Sequence, residues 1–497
     1  MRLNILFGGK AGQGPNILTQ LVGEALFGAG YHVFYSRDYQ SLIRGGHNFN
    51  VLTFSDEEVH SNDSEIDVLV ALDEKTAEVH RKDLKKGGFL IKAEGQENMY
   101  FAGMIFKILC IDFKILEGQL KRLKNFSENL THAKKGYEIE MRACSVMKPE
   151  KKHGAHSFTN GSCGIADGAI KSGLDIYYAY PMTPATPVLF ELAPKQNEGN
   201  FFVFELENEI AVMNAALGSA STGAKTMIGT SGGGFDLMTE ALSMAGMAEI
   251  PVVCYNASRP GPSTGIATYT GQGDLQMARY CGHGEFFRLV LAPGDSVECT
   301  EITSQAFYFS QKYKLPVIIL SDKHLAESFY TCEEAPILTK SDKTTKLIRF
   351  NSYEHTENGE ASEDPKVISA GFARRARIKK EVEKEAEKFS MYKIFGKKDS
   401  KNIVLSYGST KGAILDSIKD LDFKFIQILY IEPFPEKIKL ELEKAKKIIL
   451  VENSGTGMLA DVVREKTGVE IRDKILRDDG RPFLRDELKE ELRRRLK

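Results

Sequence analysis

Residues 175–249 constrain the fold of this 497-residue chain more than any other stretch. Short apolar runs at 175–180, 201–205 and 225–229 each lead into a loop and then into a helical pattern, and glycine or proline marks three of the loops in the stretch. Parallel α/β sheets place reactive groups in such loops, at the carboxyl ends of their strands. The pattern therefore predicts an α/β fold whose chemistry lies here.

The first unit, residues 1–145, begins with the pattern of a strand, a Gly-rich loop and a helix at 3–7, 8–14 and 15–28. Proline stands in the first helical turn, where its missing N–H costs least. Further strand patterns follow, and we expect a doubly wound domain. A polar stretch with proline and glycine, residues 146–157, marks the linker to the second unit.

The length allows about three domains at roughly 150 residues each. Residues 158–335 form the predicted second domain, which contains the central stretch. Residues 336–400 are a charged connecting region with a Lys- and Glu-rich helix around 374–389. Residues 401–497 form a third α/β domain, whose predicted strands are 402–407, 424–430 and 447–451.

Composition and charge exclude several classes of protein. The formal net charge is −2, from 66 basic and 68 acidic residues, so no strong field favours nucleic acid or a membrane surface as a partner. No stretch reaches the roughly 20 apolar residues of a membrane span. The sequence opens on a short apolar run and a Gly-rich loop and shows no secretory signal. We expect a soluble, cytoplasmic protein.

The cysteines and two histidines give no indication of a metal site. The seven cysteines are dispersed without a CxxC pair, so they provide no framework for zinc or for an iron–sulfur cluster. Any cluster must therefore lie on another chain. His153 and His156 lack an acidic or Cys companion in their loop, and we interpret them as linker residues.

Two glycine-containing loops of the first unit each allow a functional and a structural interpretation. The loop at 8–14 could bring backbone N–H groups to a phosphate, but its order is G-x-x-G-x-G and no Lys-Ser or Lys-Thr follows. We predict a tight strand-to-helix turn. In SLIRGGHN, residues 41–48, Arg44 could hold a phosphate or lie in an exposed turn, and spacing alone favours the turn.

Three loops of the second unit carry candidate site residues. The loop at 181–187 alternates proline with Thr183 and Thr186, so it presents hydroxyl groups at a strand end. Glu209 opens a helix, where an acid either complements the helix dipole or, if buried, acts as a catalytic carboxylate. Arg259 in SRPGPSTG either binds a small carboxylate or belongs to a surface loop.

A serine hydrolase is a formal alternative. Residues 229–233 fit the G-x-S-x-G pattern of a nucleophile elbow, with Ser231 as the nucleophile. The predicted strand-turn-helix context suits that motif. Asp322 and His324 follow in the Ser, Asp, His order of the α/β hydrolases.

Taken together, the loops resemble the 2-oxoacid:ferredoxin oxidoreductases, in the form whose alpha subunit carries a gamma domain fused at its N-terminus. The resemblance spans nearly the whole chain in order. Its motifs are GGKAGQG, SLIRGGHN, YPMTPAT, ELENEIAVMNAALGSA, TSGGGFDLMTEALSMAGMAEIPVV, SRPGPSTG, GHGEFFRLVLAPGD, SYEHTENG, LSYGST, VENSGTG and DDGRPF. It implies three α/β domains: a gamma-like domain, a thiamine-diphosphate-binding domain of the pyrimidine type, and a domain like the C-terminal domain of transketolases.

The resemblance also implies roles for individual residues. Glu209 matches the glutamate that contacts the aminopyrimidine ring of thiamine diphosphate, where a carboxylic acid shares a proton with a ring nitrogen. Thr183 matches the threonine that lies against cofactor and substrate, Arg259 the arginine that pairs with the 2-oxoacid carboxylate, and Thr268 a pocket residue associated with substrate choice. Arg44 stands where the family has a basic residue near the entry for coenzyme A.

The other half of the cofactor site is missing from the sequence. Thiamine diphosphate enzymes bind Mg²⁺ and the diphosphate through Gly-Asp-Gly and an Asn about 25 to 30 residues later. Gly273-Asp274 and Gly294-Asp295 lack the third glycine, and no Asn occurs between 275 and 350. The family supplies Mg²⁺, the diphosphate site and an iron–sulfur cluster from a beta subunit. The resemblance thus implies a heterodimer or a dimer of heterodimers, inactive without that partner.

We expect an alpha subunit that acts with a beta partner. Together they would convert a 2-oxoacid and coenzyme A into acyl-CoA and CO₂ and pass two electrons, one at a time, to ferredoxin. The same reaction could also proceed in the reverse direction. The fused layout and the TSGGGF form favour 2-oxoglutarate, with pyruvate or branched-chain 2-oxoacids as alternatives. His283 is a candidate for a distal carboxylate or a structural histidine. A non-catalytic scaffold derived from the family is a further alternative.

Overall fold

The computed structural model describes residues 1–40, 46–92, 95–140, 154, 157–344 and 351–496. Arg44, His153 and His156 lie outside the described residues, so what the sequence predicts for them stays a prediction. Within the described part of the chain, the strands form three sheets with helices packed against them. The predicted α/β fold class is confirmed.

The first sheet is built mainly from the N-terminal part of the chain. Its strands there are β1 Arg2–Lys10, β2 His32–Asp38, β3 His47–Ser55, β4 Ile66–Ala71 and β5 Leu84–Lys92. The accompanying helices are α1 Pro15–Gly28, α2 Glu74–His80, α3 Asn98–Ile108, α4 Phe113–Leu120 and α5 Phe126–Tyr137. Because β3 is antiparallel to β1 and β2, the sheet is mixed, and the doubly wound prediction is wrong in this respect. The link from β2 to β3 is too short for the crossover of about a dozen residues that parallel neighbours need.

The second sheet carries the central stretch. The strands of this part are β6 Ser157–Asn160, β7 Ile176–Ala179, β8 Phe202–Glu205, β9 Thr226–Thr230, β10 Val252–Ser258, β11 Leu289–Leu291, β12 Pro316–Asp322 and β13 Phe329–Cys332. The helices are α6 Gly161–Lys171, α7 Thr186–Leu192, α8 Glu209–Ser221, α9 Gly232–Leu237, α10 Thr239–Ala248, α11 Leu275–Tyr280, α12 Ser296–Tyr313 and α13 Lys323–Glu327. Six strands are mutually parallel in the order β11-β12-β10-β9-β7-β8. The three strands predicted in the central stretch are found as β7, β8 and β9.

We call residues 1–140, 157–344 and 351–496 the first, second and third parts of the chain. The third sheet belongs to the third part. The strands of this part are β14 Tyr392–Gly396, β15 Asn402–Tyr407, β16 Lys424–Ile428, β17 Tyr430–Glu432, β18 Lys447–Glu452 and β19 Asp473–Leu476. The helices are α14 Pro365–Ala386, α15 Thr410–Ile418, α16 Lys439–Glu443, α17 Met458–Thr467 and α18 Arg485–Leu496. The Lys- and Glu-rich helix predicted around 374–389 is α14, which begins earlier, at a proline capped by Asp364.

Several strands join a sheet outside their own part of the chain. β6 and β13 extend the first sheet, because β13 is antiparallel to both β2 and β6. β17 is antiparallel to β11 and so belongs to the second sheet. The single strand predicted at 424–430 is therefore wrong: the chain leaves the third sheet at Leu429, which donates to the Met391 carbonyl and accepts from Ala292 N at 2.7 Å.

The core is continuous between the second and third sheets. One apolar cluster contains Cys254 and Ile318 of the second sheet together with Leu405 and Ile426 of the third. Burial of this shared apolar surface holds the two parts of the chain in a fixed arrangement. Among the described helices, none is both long and apolar enough to cross a membrane.

Candidate functional site

The candidate site lies where the parallel strands of the second sheet end, an edge we call the carboxyl edge. Thr183 follows β7, Glu209 follows β8, and Ser231 and Arg259 directly follow β9 and β10. Because these strands are parallel neighbours, their following loops meet at the same edge. The predicted grouping of the site residues therefore has a structural basis in the strand order.

Glu209 is buried at the start of α8. The Asn208 side chain caps this helix by accepting a 2.8 Å hydrogen bond from Ala211 N. Only 4% of Glu209 is exposed, whereas Glu207 nearby is exposed. Gly234 lies against it: a Cβ at that glycine would stand 2.8 Å from Glu209 Oε1. Glu209 is therefore not an exposed acid that only complements the helix dipole. It is a buried carboxyl that lies between the capped start of α8 and the backbone of Gly234.

Arg259 connects two loops of the carboxyl edge. Its Nη1 donates a 2.7 Å hydrogen bond to the main-chain oxygen of Thr183. Burial lowers the pKa of Arg259, and the nearby Asp274 and Glu209 carboxylates oppose that shift. Its Nε is buried without a hydrogen-bond partner among the described residues. Nη1 of the guanidinium therefore makes a structural hydrogen bond, and the Nε–H group remains as a donor for a ligand.

Asp274 lies among the candidate site residues, close to Arg259, and the sequence reasoning missed it. Asn256 Nδ2 donates to its Oδ2 at 3.3 Å, and a Cβ on Gly232 would stand 2.6 Å from the same oxygen. Burial raises the pKa of Asp274, while hydrogen bonding and the Arg259 charge oppose the shift. In the sequence it appears as part of an incomplete Gly-Asp-Gly motif. Its closeness to SRPGPSTG along the chain was the available signal.

Thr268 lies buried further along the loop that carries Arg259. No hydrogen bond links the described Thr268 side chain to Thr183, Glu209, Arg259 or Asp274. The structure thus joins Thr183 directly to Arg259 and brings Glu209 and Asp274 within electrostatic range of it. It does not bring Thr268 into that direct network.

The hydrolase triad is not assembled. Ser231 is fully buried, and its Oγ has no hydrogen-bond partner in the described structure. Asp322 accepts instead from Thr270 Oγ1 at 3.1 Å and from Leu325 N at 3.0 Å. His324 Nδ1 faces the Ser328 hydroxyl, and burial together with Lys323 lowers the pKa of His324 to about 3. These side chains serve local packing and capping, so the hydrolase interpretation has no geometric support.

His283 and two cavities lie apart from the site residues. His283 is exposed and lines a cavity of about 200 Å³ together with Ser243 and Phe286. A second cavity, of about 820 Å³, is lined by residues of all three parts of the chain, including Glu298 and Lys411. Neither lining includes Thr183, Glu209, Arg259, Thr268 or Asp274.

The carboxyl edge suits the pyrimidine half of thiamine diphosphate. Glu209 supplies a buried carboxyl that can hold or accept a proton, and Gly234 leaves room for it. Arg259 retains a buried, unpartnered donor beside it. Exposed apolar side chains lie on elements that border this edge, namely Phe202, Phe204, Ile210, Leu237 and Ile266.

Two family models match the chain. The model described as "Pyruvate flavodoxin/ferredoxin oxidoreductase, thiamine diP-bdg" matches residues 167–394. The model described as "Pyruvate ferredoxin/flavodoxin oxidoreductase" matches residues 4–114. The first match covers the carboxyl edge, and the second covers most of the first sheet.

Similar proteins match over the same regions. The 2-oxoacid:ferredoxin oxidoreductase subunit alpha of Sulfolobus sp is 30% identical over 99% of this chain and 96% of that protein. The 2-oxoglutarate synthase subunit KorA of Archaeoglobus fulgidus is 32% identical over 61% of this chain and 89% of that subunit. A solved structure, the 2-oxoglutarate:ferredoxin oxidoreductase from Magnetococcus marinus with 2-oxoglutarate, coenzyme A and succinyl-CoA bound, has the same fold, with a TM-score of 0.89, 23% identity and complete coverage of both chains. The chain therefore belongs to the 2-oxoacid:ferredoxin oxidoreductases, as an alpha subunit.

Proposed function

We propose that this subunit, together with a beta subunit, converts a 2-oxoacid and coenzyme A into acyl-CoA and CO₂, passing two electrons singly to ferredoxin. The observation that carries the proposal is the burial of Glu209 at the carboxyl edge, within electrostatic range of Arg259. Membership of the oxidoreductase family supports the reaction class. Thiamine diphosphate, when bound, supplies the carbon nucleophile for attack on the 2-oxo group.

Glu209 is proposed to act as the proton-sharing acid at the pyrimidine ring. Asn208 fixes the start of the helix, and Gly234 fixes one side of the carboxyl, so Glu209 has a defined position. A fixed acid within hydrogen-bonding reach of a ring nitrogen can move a proton without reorganising.

Arg259 and Thr183 are proposed to bind the substrate carboxylate. The bond to the Thr183 carbonyl holds the guanidinium in place, while the unpartnered Nε provides a donor for an anion. Guanidinium groups bind carboxylates through planar, paired hydrogen bonds. Thr268, buried in the same loop, is proposed to shape the pocket for the rest of the substrate.

The preferred substrate is proposed to be 2-oxoglutarate, with pyruvate or a branched-chain 2-oxoacid as the second candidate. Similarity to the subunit named 2-oxoglutarate synthase subunit KorA favours the first candidate. The placement of His283 gives no support to its contact with a distal carboxylate, because it lines a cavity without the other site residues.

Coenzyme A is proposed to enter beside the first sheet, with Arg44 near its phosphates. Residues of β2 and β3, which flank Arg44 in the sequence, contribute to a cavity of about 250 Å³. Its lining includes the basic residues Arg37, Lys323, Arg477 and Arg481. The lining also includes the acidic residues Asp38, Asp63, Asp83 and Glu487, and Arg481 and Arg477 pair with Asp38 and Glu487. The proposed route therefore rests mainly on the resemblance at Arg44.

A beta subunit is proposed to supply Mg²⁺, the diphosphate site and the iron–sulfur cluster. We propose this because the sequence lacks a Gly-Asp-Gly motif and its cysteines are dispersed. The exposed apolar side chains bordering the carboxyl edge support a covering partner there. We further propose that 1–145, 158–335, 336–400 and 401–497 are the functional divisions of the chain, that the complex is a heterodimer or a dimer of heterodimers, and that it works in the cytoplasm.

Co-expression with a beta subunit tests the proposal. The purified complex is assayed without oxygen for CoA-dependent viologen reduction with 2-oxoglutarate, pyruvate and branched-chain 2-oxoacids. We expect turnover with the complex, fastest with 2-oxoglutarate, and none with the isolated chain. Absence of turnover with every 2-oxoacid would favour the non-catalytic scaffold, and stoichiometric labelling of Ser231 by a fluorophosphonate would favour the hydrolase.

A further inference from the structure

The loop that carries Arg259 and Thr268 is held at its far end by the third part of the chain. Gln272, which is 2% exposed, donates from its backbone N to Asn453 O at 2.7 Å, and its Oε1 accepts from Asn453 N at 2.8 Å. Its Nε2 donates to Tyr407 O at 2.9 Å, and Tyr407 Oη donates back to Gln272 O at 3.1 Å. Backbone and side chain of one residue are thus both paired across the two parts.

The neighbouring residues of the loop are held in the same way. Thr270 N donates to Gly480 O at 3.1 Å, and the Arg481 guanidinium lies 3.9 Å from the centre of the Tyr269 ring. Asn453 Nδ2 donates to Arg481 O at 2.9 Å. The segments around residues 453 and 480, which both contact the loop, are therefore also bonded to each other.

These contacts account for three sequence motifs that have no role in the carboxyl edge itself. LSYGST provides Tyr407, VENSGTG provides Asn453, and DDGRPF provides Gly480 and Arg481. Gly408 of the first motif has a φ of 66° and would place a Cβ 2.8 Å from Gln272 Nε2. A left-handed backbone and the close approach both require glycine there. The three motifs therefore converge on residues 269–272.

We propose that Gln272 is a positioning residue for substrate binding, and that the third part of the chain, through Tyr407, Asn453 and Arg481, sets the position of Arg259 and Thr268. The inference rests on the proposed role of Arg259 in binding the 2-oxoacid carboxylate. Arg259 begins the loop, where it is tied to Thr183, and Gln272 ends it. A loop fixed at both ends keeps its guanidinium aimed and loses less conformational entropy when the substrate binds.

Gln272→Ala and Tyr407→Phe test the inference in the complete complex, with Gln276→Ala as the matched control. Gln276 lies just downstream on α11, where it accepts from Arg279, and it makes none of these contacts. KM for the 2-oxoacid should rise roughly three- to tenfold in each test variant, the effect of one or two lost hydrogen bonds, with kcat changed less than about twofold. The double variant should show less than the product of the two effects, because both remove contacts of one residue.

Hydrogen exchange provides a readout that is independent of turnover. Peptides covering 259–268 should exchange faster in both test variants and at the wild-type rate in Gln276→Ala. Unchanged KM together with unchanged exchange, or a lower Tm as the sole effect, overturns the inference and leaves an ordinary packing contact. If the wild-type complex turns over no 2-oxoacid, the proposed function fails, and the exchange measurement still decides whether the third part of the chain holds the loop.

Discussion

Arg259 Nη1 donates a 2.7 Å hydrogen bond to the main-chain oxygen of Thr183, a residue 76 positions away in the sequence. The bond joins the loop after β7 to the loop after β10 and fixes the orientation of a half-buried guanidinium. Since the acceptor is a backbone carbonyl, replacing the Thr183 side chain leaves this bond in place. The arginine is the partner whose chemistry can be tested by substitution.

Arg259→Lys is expected to weaken substrate binding while the charge is kept. An ammonium group lacks the planar fork and cannot reach the Thr183 carbonyl and a carboxylate together. The value of kcat/KM for the 2-oxoacid should fall by about 30-fold, the equivalent of the roughly 2 kcal/mol that a part-buried hydrogen bond to a charged group contributes. Steady-state kinetics measure it, with the exposed Arg472→Lys as control. An unchanged kcat/KM would remove Arg259 from the substrate site.

Glu209→Gln is expected to lower kcat by about a hundredfold, the low end for acid–base groups. Glutamine keeps the shape of the buried side chain but cannot give or take the proton. Glu207→Gln is the matched control, because it makes the same change at an exposed residue just before the helix. Near-normal turnover of Glu209→Gln, at an unaltered Tm, would retire the assignment of this acid.

Gly234→Ala is expected to displace the Glu209 carboxyl without changing it chemically. The added Cβ would stand 2.3 Å from Thr230 Oγ1 and 2.8 Å from both Cγ and Oε1 of Glu209, so the side chains of Thr230 and Glu209 must both shift. A catalytic group misplaced by about 1 Å can cost on the order of a hundredfold in rate. Gly233→Ala is the control, since its Cβ would meet its nearest neighbour, Ser263 O, at 3.6 Å. Equal activity of the two variants would contradict this account of the TSGGGF motif.

Local patterns predicted the elements of the fold, and long-range contacts decided the rest. Proline at the first turn predicts α1, and apolar runs before Gly- or Pro-marked loops predict β7 and β9. Asp274 was missed because its closeness to Gly232 depends on how the loops after β9 and β10 pack together, which no local pattern records. A pairing such as Gln272 with Asn453 likewise leaves no local pattern, since it depends on how two sheets pack.

The switch of sheet at Leu429 was missed for the same physical reason. The run 424–430, which is apolar apart from Lys424 and Gln427, looks like one strand, because β propensity does not distinguish which sheet a residue joins. The break depends on hydrogen bonds to Ala292 and Met391, which come from other parts of the chain.

The His47–His80 pair should make stability depend on pH. Their Nε2 atoms lie 2.8 Å apart, and burial followed by the His80 charge lowers the pKa of His47 from 6.5 to about 4. A folded state that keeps His47 neutral is favoured fully above pH 6.5 and loses that advantage as the pH falls towards 4. Tm measured across this range should decline in the wild type and decline less in His47→Gln. Parallel curves for the two proteins would contradict the prediction.

A buried ion network fixes the third part of the chain to α12, and breaking it should destabilise the fold. Lys411 Nζ donates to Glu298 Oε1 at 2.6 Å and also pairs with Asp295, while Gln427 Nε2 and Gly294 N donate to Glu298 Oε2. Lys411→Met removes the cation that Glu298 and Asp295 share, while Glu298 keeps Lys393 Nζ at 2.9 Å and Asp295 is partly exposed. The loss should therefore be below the roughly 3–5 kcal/mol that follows when one partner of a fully buried pair is removed.

Chemical and thermal unfolding measure this effect, with Lys397→Met as the control. Lys397 is an exposed lysine whose contact with Asp422 is 3.9 Å, so its loss should change the free energy of unfolding by less than about 1 kcal/mol. Lys411→Met should lower Tm by several degrees in the assembled complex. If Lys411→Met unfolds no earlier than Lys397→Met, the ion network does not hold these parts of the chain together.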